Sequence, residues 1–311
     1  MKKLKYLLFF ILILFAASCN TVQQSTTTEL PEDNAFNFII ISDYGRNGYH
    51  NQKEVAEIMG NVAEKISARF IVTGGDNFQI NGVESVADPL WMTSFENIYT
   101  NPSLHVEWYP ALGNHDHGGN IQAQVDYSKV SRRWKMPAPY YTLVKSRDSV
   151  SIRLVILDTQ SLVYGLGNPG RKYTRENALR QINWTDSVLA AVKEDWVIVI
   201  GHHPVFSAHP TRQNTEELLE YLYPVMNKYN VDFYIGSHDH IFQHLKDSTG
   251  TIDYFVNTAG SSVRNVARNK MTVFADSSPG FSIISATVNS LAIYFVDING
   301  NVIYRYARKK S

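Results

Sequence analysis

Between residues 36 and 240, short apolar runs alternate with segments of helical period, and most of the runs stop on an acid, an amide or an imidazole. FNFIIISD (36–43), ARFIVTGGD (68–76), VEWYPALGNHD (106–116), SIRLVILDT (151–159), WVIVIGHHP (196–204) and VDFYIGSHDH (231–240) predict strands. The stretches 51–66, 88–98, 175–193 and 214–229 predict helices. Near-continuous Val/Ile runs that end in Gly-rich turns predict strands covered on both faces, an α/β arrangement. The tail differs: FSIISATV (281–288), SLAIYFVD (290–297) and NVIYRYAR (301–308) alternate and are joined by short turns, one of them Asn299-Gly300. That pattern predicts an antiparallel meander closing the domain.

Composition adds a compartment and removes one class of partner. Lys plus Arg equals Asp plus Glu at 29 each, which argues against a nucleic-acid footprint. Lys2, Lys3 and Lys5 precede an apolar run to Phe15, followed by Ala16-Ala17-Ser18-Cys19. This is the layout of an export signal, and the four residues resemble a bacterial lipobox. The expectation is a signal peptide over 1–19, lipidation at Cys19, a polar tether over 20–34 and one catalytic domain over 35–311. The protein would then be a periplasmic or cell-surface lipoprotein, or secreted, touching membrane only through its anchor and otherwise monomeric. Cys19 is the single cysteine, so no internal disulfide can form.

The chemistry lies at the strand ends. In α/β sheets the loops after the carboxyl ends of strands build the site. Here those ends carry Asp43, Asp76, Asn114 with His115, His202 with His203, and His238 with His240. Each alone is an ordinary turn residue or helix cap. Together they offer hard oxygen and borderline nitrogen donors suited to first-row metals. No P-loop and no Gly-Xaa-Ser-Xaa-Gly elbow occurs.

Asp43-Tyr44-Gly45, Gly75-Asp76, Gly113-Asn114-His115-Asp116, Gly201-His202 and His238-Asp239-His240 match, in order, the motif series of the calcineurin-like metallophosphoesterases. Within that superfamily the chain resembles the purple acid phosphatases, nearest the small tartrate-resistant type, from about residue 36 to 308. The resemblance implies a four-layer α/β/β/α sandwich of two mixed sheets flanked by helices. It also implies a dinuclear site that hydrolyses phosphate monoesters of small phosphorylated substrates, with a metal-bridging hydroxide as nucleophile. By motif, Asp43, Asp76 and His240 would hold the first metal, and Asp76, Asn114, His202 and His238 the second, so that Asp76 bridges. His115 would protonate the leaving group, Asp116 would orient it, and His209 would face the substrate. His203 and His117 receive no ligand role.

One departure matters. The subgroup carries a metal-binding tyrosine where this chain has Gln79, and Gly45 stands where other metallophosphoesterases place a histidine. Two metal ions, Fe with Zn, Mn or Fe, are implied, and Gln79 as a possible first-metal position favours a divalent pair. The segment 161–174 is expected to be a loop, shorter than its animal counterpart, leaving an open pocket. A phosphodiesterase or nucleotidase, or a non-catalytic protein binding a phosphorylated ligand, are the alternative readings.

Overall fold

The structure is a computed structural model that describes residues 29–247 and 250–310; Cys19 and the stretch read as an export signal lie outside the described residues. The chain runs β1 (Phe36–Ile41), α1 (Gln52–Lys65), β2 (Phe70–Thr73), β3 (Glu107–Pro110), α2 (Ile121–Tyr127), β4 (Tyr141–Arg147) and β5 (Val150–Ile156). It continues through α3 (Thr159–Gly167), α4 (Arg175–Ala190), β6 (Trp196–Ile200), α5 (Tyr223–Lys228), β7 (Phe233–Gly236), β8 (Phe242–Lys246) and β9 (Asp253–Val256). β10 (Thr272–Asp276), β11 (Gly280–Ala286), β12 (Ser290–Asp297) and β13 (Val302–Lys309) complete it.

Two mixed sheets result, in the orders β13-β12-β11-β1-β2-β3 and β10-β8-β9-β7-β6-β5-β4. β1, β2 and β3 are parallel, as are β5, β6, β7 and β9. The C-terminal meander extends the first sheet by pairing β11 antiparallel to β1, with Phe36 opposite Ala286. The apolar runs sort by period two: on β6, Trp196, Ile198 and Ile200 enter the core between the sheets, while Val197 and Val199 face the core beneath the helices. Leu162 and Leu166 of α3, Ala178, Ile182 and Leu189 of α4 and Met226 of α5 cover that outer face. On α1, Val55, Ala56, Met59, Val62 and Ala63 recur at helical spacing and are buried, with Glu54 in its first turn and Lys65 in its last.

Two boundaries differ from expectation. Leu30 packs against the core, Pro31 is buried, and the Glu32 carbonyl accepts from Asn37 Nδ2, so the folded unit begins inside the stretch read as tether. Residues 159–167 form α3 where a loop was expected. Asp158 caps it by accepting from Ser161 N–H at 3.2 Å, and Leu162 and Leu166 are buried under it.

Candidate metal centre

The carboxyl ends of β1, β2, β3, β6 and β7 deliver the polar residues to one place. Asp43, Asp76, His238 and His240 all adopt positive φ, at 53°, 51°, 68° and 57°. Left-handed backbone at non-glycine residues costs about 1–3 kcal/mol each and persists where surrounding structure demands it. Here the turns aim the side chains back across the sheet edge. The turns also press together: a Cβ on Gly113 would lie 2.2 Å from Asp76 Oδ1, so only glycine fits there.

The donor atoms form two groups that share one residue. Asp76, His202 and His238 contribute atoms all within 4.8 Å of one another, and so do Asp43, Asp76 and His240. Ring tautomers show what these groups are built for. His202 Nδ1 lies 2.9 Å from the Gly74 carbonyl and His240 Nδ1 lies 2.7 Å from the Ser262 carbonyl. A carbonyl only accepts, so both Nδ1 atoms carry hydrogen and both Nε2 atoms present lone pairs in the neutral ring. His202 Nε2 then faces Asp76 Oδ2 at 3.4 Å, Asn114 Oδ1 at 3.2 Å and His238 Nδ1 at 3.1 Å. His240 Nε2 faces Asp43 Oδ1 at 3.1 Å, an oxygen that is buried and accepts no hydrogen bond among the described residues. Acceptors crowded against acceptors repel unless a cation lies among them. The residues present therefore fit two metal ions, one beside each group.

The electrostatics agree. Burial alone would raise Asp76, yet His202 and His115 hold its carboxyl below the usual carboxylate range. Burial would lower His202, but Asp76 and Asp43 carry it up to about 9, so in metal-free protein a proton takes the cation's place. His203 is pushed down to about 3 by burial and by His202, and its Nδ1 lies 3.0 Å from Thr159 Oγ1. His117 is also buried, with Nε2 2.9 Å from Asp158 Oδ1. Neither belongs to a donor group.

His115 stands apart from the donors. Its Nδ1 is 2.9 Å from the Ile80 carbonyl, which fixes that hydrogen and turns Nε2 toward the centre, 3.8 Å from Asp76 Oδ2. About a third of the side chain is exposed, so a substrate can reach it.

Two expectations need correction. Asp116 does not orient His115. It points inward, accepting from Gly113, Asn77 and Phe78 N–H groups and from Gln124, and so ties the β2 and β3 loops together. Gln79 is not placed as a ligand. Its Oε1 accepts from Arg46 Nη2 at 3.2 Å, leaving Nε2 toward Asp76 Oδ2 at 3.5 Å. A guanidinium is donor-only, so the amide atom facing it must be the oxygen. His209, expected on the substrate side, bonds to none of the donors: Nδ1 accepts from Thr211 N–H at 3.2 Å, and Nε2 is buried with no hydrogen-bond partner among the described residues.

Sequence reasoning missed the supports. Thr159 Oγ1 accepts from the backbone N–H of both His202 and His203. Arg212 and Arg264 both donate to the His238 carbonyl, at 3.0 and 2.9 Å, holding the turn that carries two donors.

A cleft of about 460 Å³ opens beside Asn114 and His238, bounded by Gln160 and Tyr164 of α3 and by Glu217. Its wall is thus helical where the open loop was expected.

Comparison with known proteins agrees with this geometry. The calcineurin-like phosphoesterase family model matches residues 36–242. The chain is 33% identical to tartrate-resistant acid phosphatase type 5 of Oryctolagus cuniculus, over 86% of this chain and 89% of that one. It is 31% identical to purple acid phosphatase 4 of Arabidopsis thaliana, over 98% and 93%. Among solved structures, the GAP50 anchor of the Plasmodium inner membrane complex shares the fold with TM-score 0.79 at 24% identity, each chain covered to 89%. A purple acid phosphatase from yellow lupin seeds shares it with TM-score 0.65 at 16% identity, over 88% of this chain and 53% of that one. The chain belongs to the calcineurin-like phosphoesterases, beside the purple and tartrate-resistant acid phosphatases, and is a dinuclear metal-dependent phosphatase.

Proposed function

We propose that the protein hydrolyses phosphate monoesters at a centre held by Asp43, Asp76 and His240 on one side and Asp76, Asn114, His202 and His238 on the other. The observation that carries this is the pair of donor groups sharing Asp76. A shared carboxylate answers the repulsion between two cations a few ångströms apart. Bound there, the metals would acidify the attacking water and draw charge from the phosphate oxygens. With Nδ1 tied to the Ile80 carbonyl, His115 presents Nε2 toward the phosphate and donates its proton to the departing alkoxide. Arg212 and Arg264 keep His238 in place through its carbonyl.

The metals are a divalent pair, because the first group offers two carboxylates and one imidazole, and Gln79 stands where the subgroup's tyrosine would supply a phenolate. A strong visible charge-transfer band in purified protein would contradict that. The chain is exported, anchored through a lipid on Cys19 and monomeric. Radiolabelled palmitate that enters the C19A variant as well as wild type would refute the anchor.

Turnover of a chromogenic phosphomonoester, with and without added Fe, Zn or Mn, tests the reaction. Metal-dependent turnover is expected, and inactivity under every metal would instead favour a non-catalytic binding protein. A diester assayed in parallel and turned over faster would move the reading to a phosphodiesterase.

A further inference from the structure

The first-metal group carries a fixed cation. Arg46 donates through Nη2 to Gln79 Oε1 at 3.2 Å and through Nε to Ser261 Oγ at 3.2 Å. Ser261 Oγ in turn donates to the Asp43 carbonyl. Gln79 bridges the guanidinium to Asp76, so the positive charge sits one side chain from the shared carboxylate. Asp43 and Asp76 are the charges it feels most strongly. The guanidinium is about half-buried, and solvent only partly screens it.

The neighbouring backbone leaves no room for a substitute ligand. The 43–47 turn lies directly on the 77–79 turn: Gln79 N–H donates to the Gly45 carbonyl at 2.8 Å, and a Cβ at residue 45 would fall 1.9 Å from the Asn77 carbonyl oxygen. No longer residue at 45 can supply an imidazole without parting these turns. The two positions at which the resemblance places a further ligand to the first metal are therefore a glycine and a glutamine whose oxygen is already engaged.

We infer that Arg46, tied through Ser261 to the Asp43 turn and through Gln79 to the shared Asp76, is a positioning residue that sets which cation the first site accepts and how tightly: it turns that site into a low-affinity, exchangeable divalent position beside a tighter second one. This rests on the dinuclear reading above. Two causes act in the same direction. The first group presents two carboxylates, one of them shared, and a single imidazole. A guanidinium one hydrogen-bonded side chain away then weakens a divalent ion by on the order of tenfold to a hundredfold, and a trivalent ion by more. The second group has His202, His238 and Asn114 beside Asp76, one ligand more than the first.

Calorimetric titration of metal-free protein with Mn²⁺ reads this without any assay of turnover. Wild type is expected to titrate in two steps of unequal affinity. R46M should tighten the weaker step at least tenfold and leave the tighter step within about threefold, while R46K, which keeps the charge, should retain the two-step curve. Two equal steps in wild type, or an unchanged weaker step in R46M, would overturn the inference. Should R46M unfold, S261A, which releases one of the two anchors of Arg46, supplies the same comparison, and an unaltered weak step in it counts against the claim. No binding at all in wild type would instead defeat the dinuclear reading.

Discussion

Replacing His115 by alanine separates proton donation from metal binding. The ring is held by the Ile80 carbonyl at Nδ1, presents Nε2 at 3.8 Å from Asp76 Oδ2, and belongs to neither donor group. Its loss should therefore leave both metals in place and remove only the proton delivered to the leaving oxygen. General acid catalysis of that kind contributes about 10²–10⁴-fold, or roughly 3–5 kcal/mol at 1.36 kcal/mol per decade. The loss should depend on the substrate. An alkyl phosphate, whose alkoxide is a poor leaving group, should lose the full factor; a nitrophenyl phosphate, whose anion departs unaided, should lose less than about tenfold. The assay is kcat for both substrates in wild type and H115A, with metal content measured on the same samples. Equal losses on the two substrates would refute the role assigned to His115, as would departure of one metal.

Three further outcomes follow from the same geometry. In chelator, stability should fall as pH rises from the ordinary histidine value near 6.5 to about 9, because His202 is raised in the fold and its stabilising proton is lost on passing through that value. The loss is a few kcal/mol, and thermal melts in excess Mn²⁺ should be flat over the same window. D116A strands the N–H groups of Gly113, Asn77 and Phe78 together with the Gln124 amide, at about 1–3 kcal/mol for each one left unpaired, so its melting point should drop far below that of D116N. H202A should lose the second metal while the first group still binds, seen as one equivalent of Mn²⁺ in a titration.

The strands were legible because a strand buried on both faces needs apolar residues at nearly every position: β6 and β7 supply them throughout, β1 departs only at Asn37, and β5 only at Ser151 and Arg153. β8 was not: Gln243 and His244 interrupt its apolar run, and His244 is tolerated in the core because Asp253 Oδ1 lies 3.1 Å from Nε2. β4 escaped because it is an edge strand with exposed Val144 and Ser146. α3 carries Gly165 and Gly167, which lower its intrinsic helix propensity, and forms under the Asp158 cap and tertiary packing. At the site, residue types at strand ends were enough to mark the side chains that the fold gathers into the two groups, since their position follows from the sheet. Asp116 and Gln79 failed for a different reason. Adjacency to His115 says nothing about which way a turn faces, and a one-turn helix at 116–118 rotates Asp116 inward; occupying a family ligand position says nothing about which partner an amide takes, and Arg46 takes the Gln79 oxygen.

Anomalous diffraction from crystals soaked in Mn²⁺ tests the central claim most directly. Two peaks about 3.5–4 Å apart are expected, one on either side of the Asp76 carboxylate and each in contact with one of its oxygens. A single peak, or two peaks neither of which touches Asp76, would contradict it.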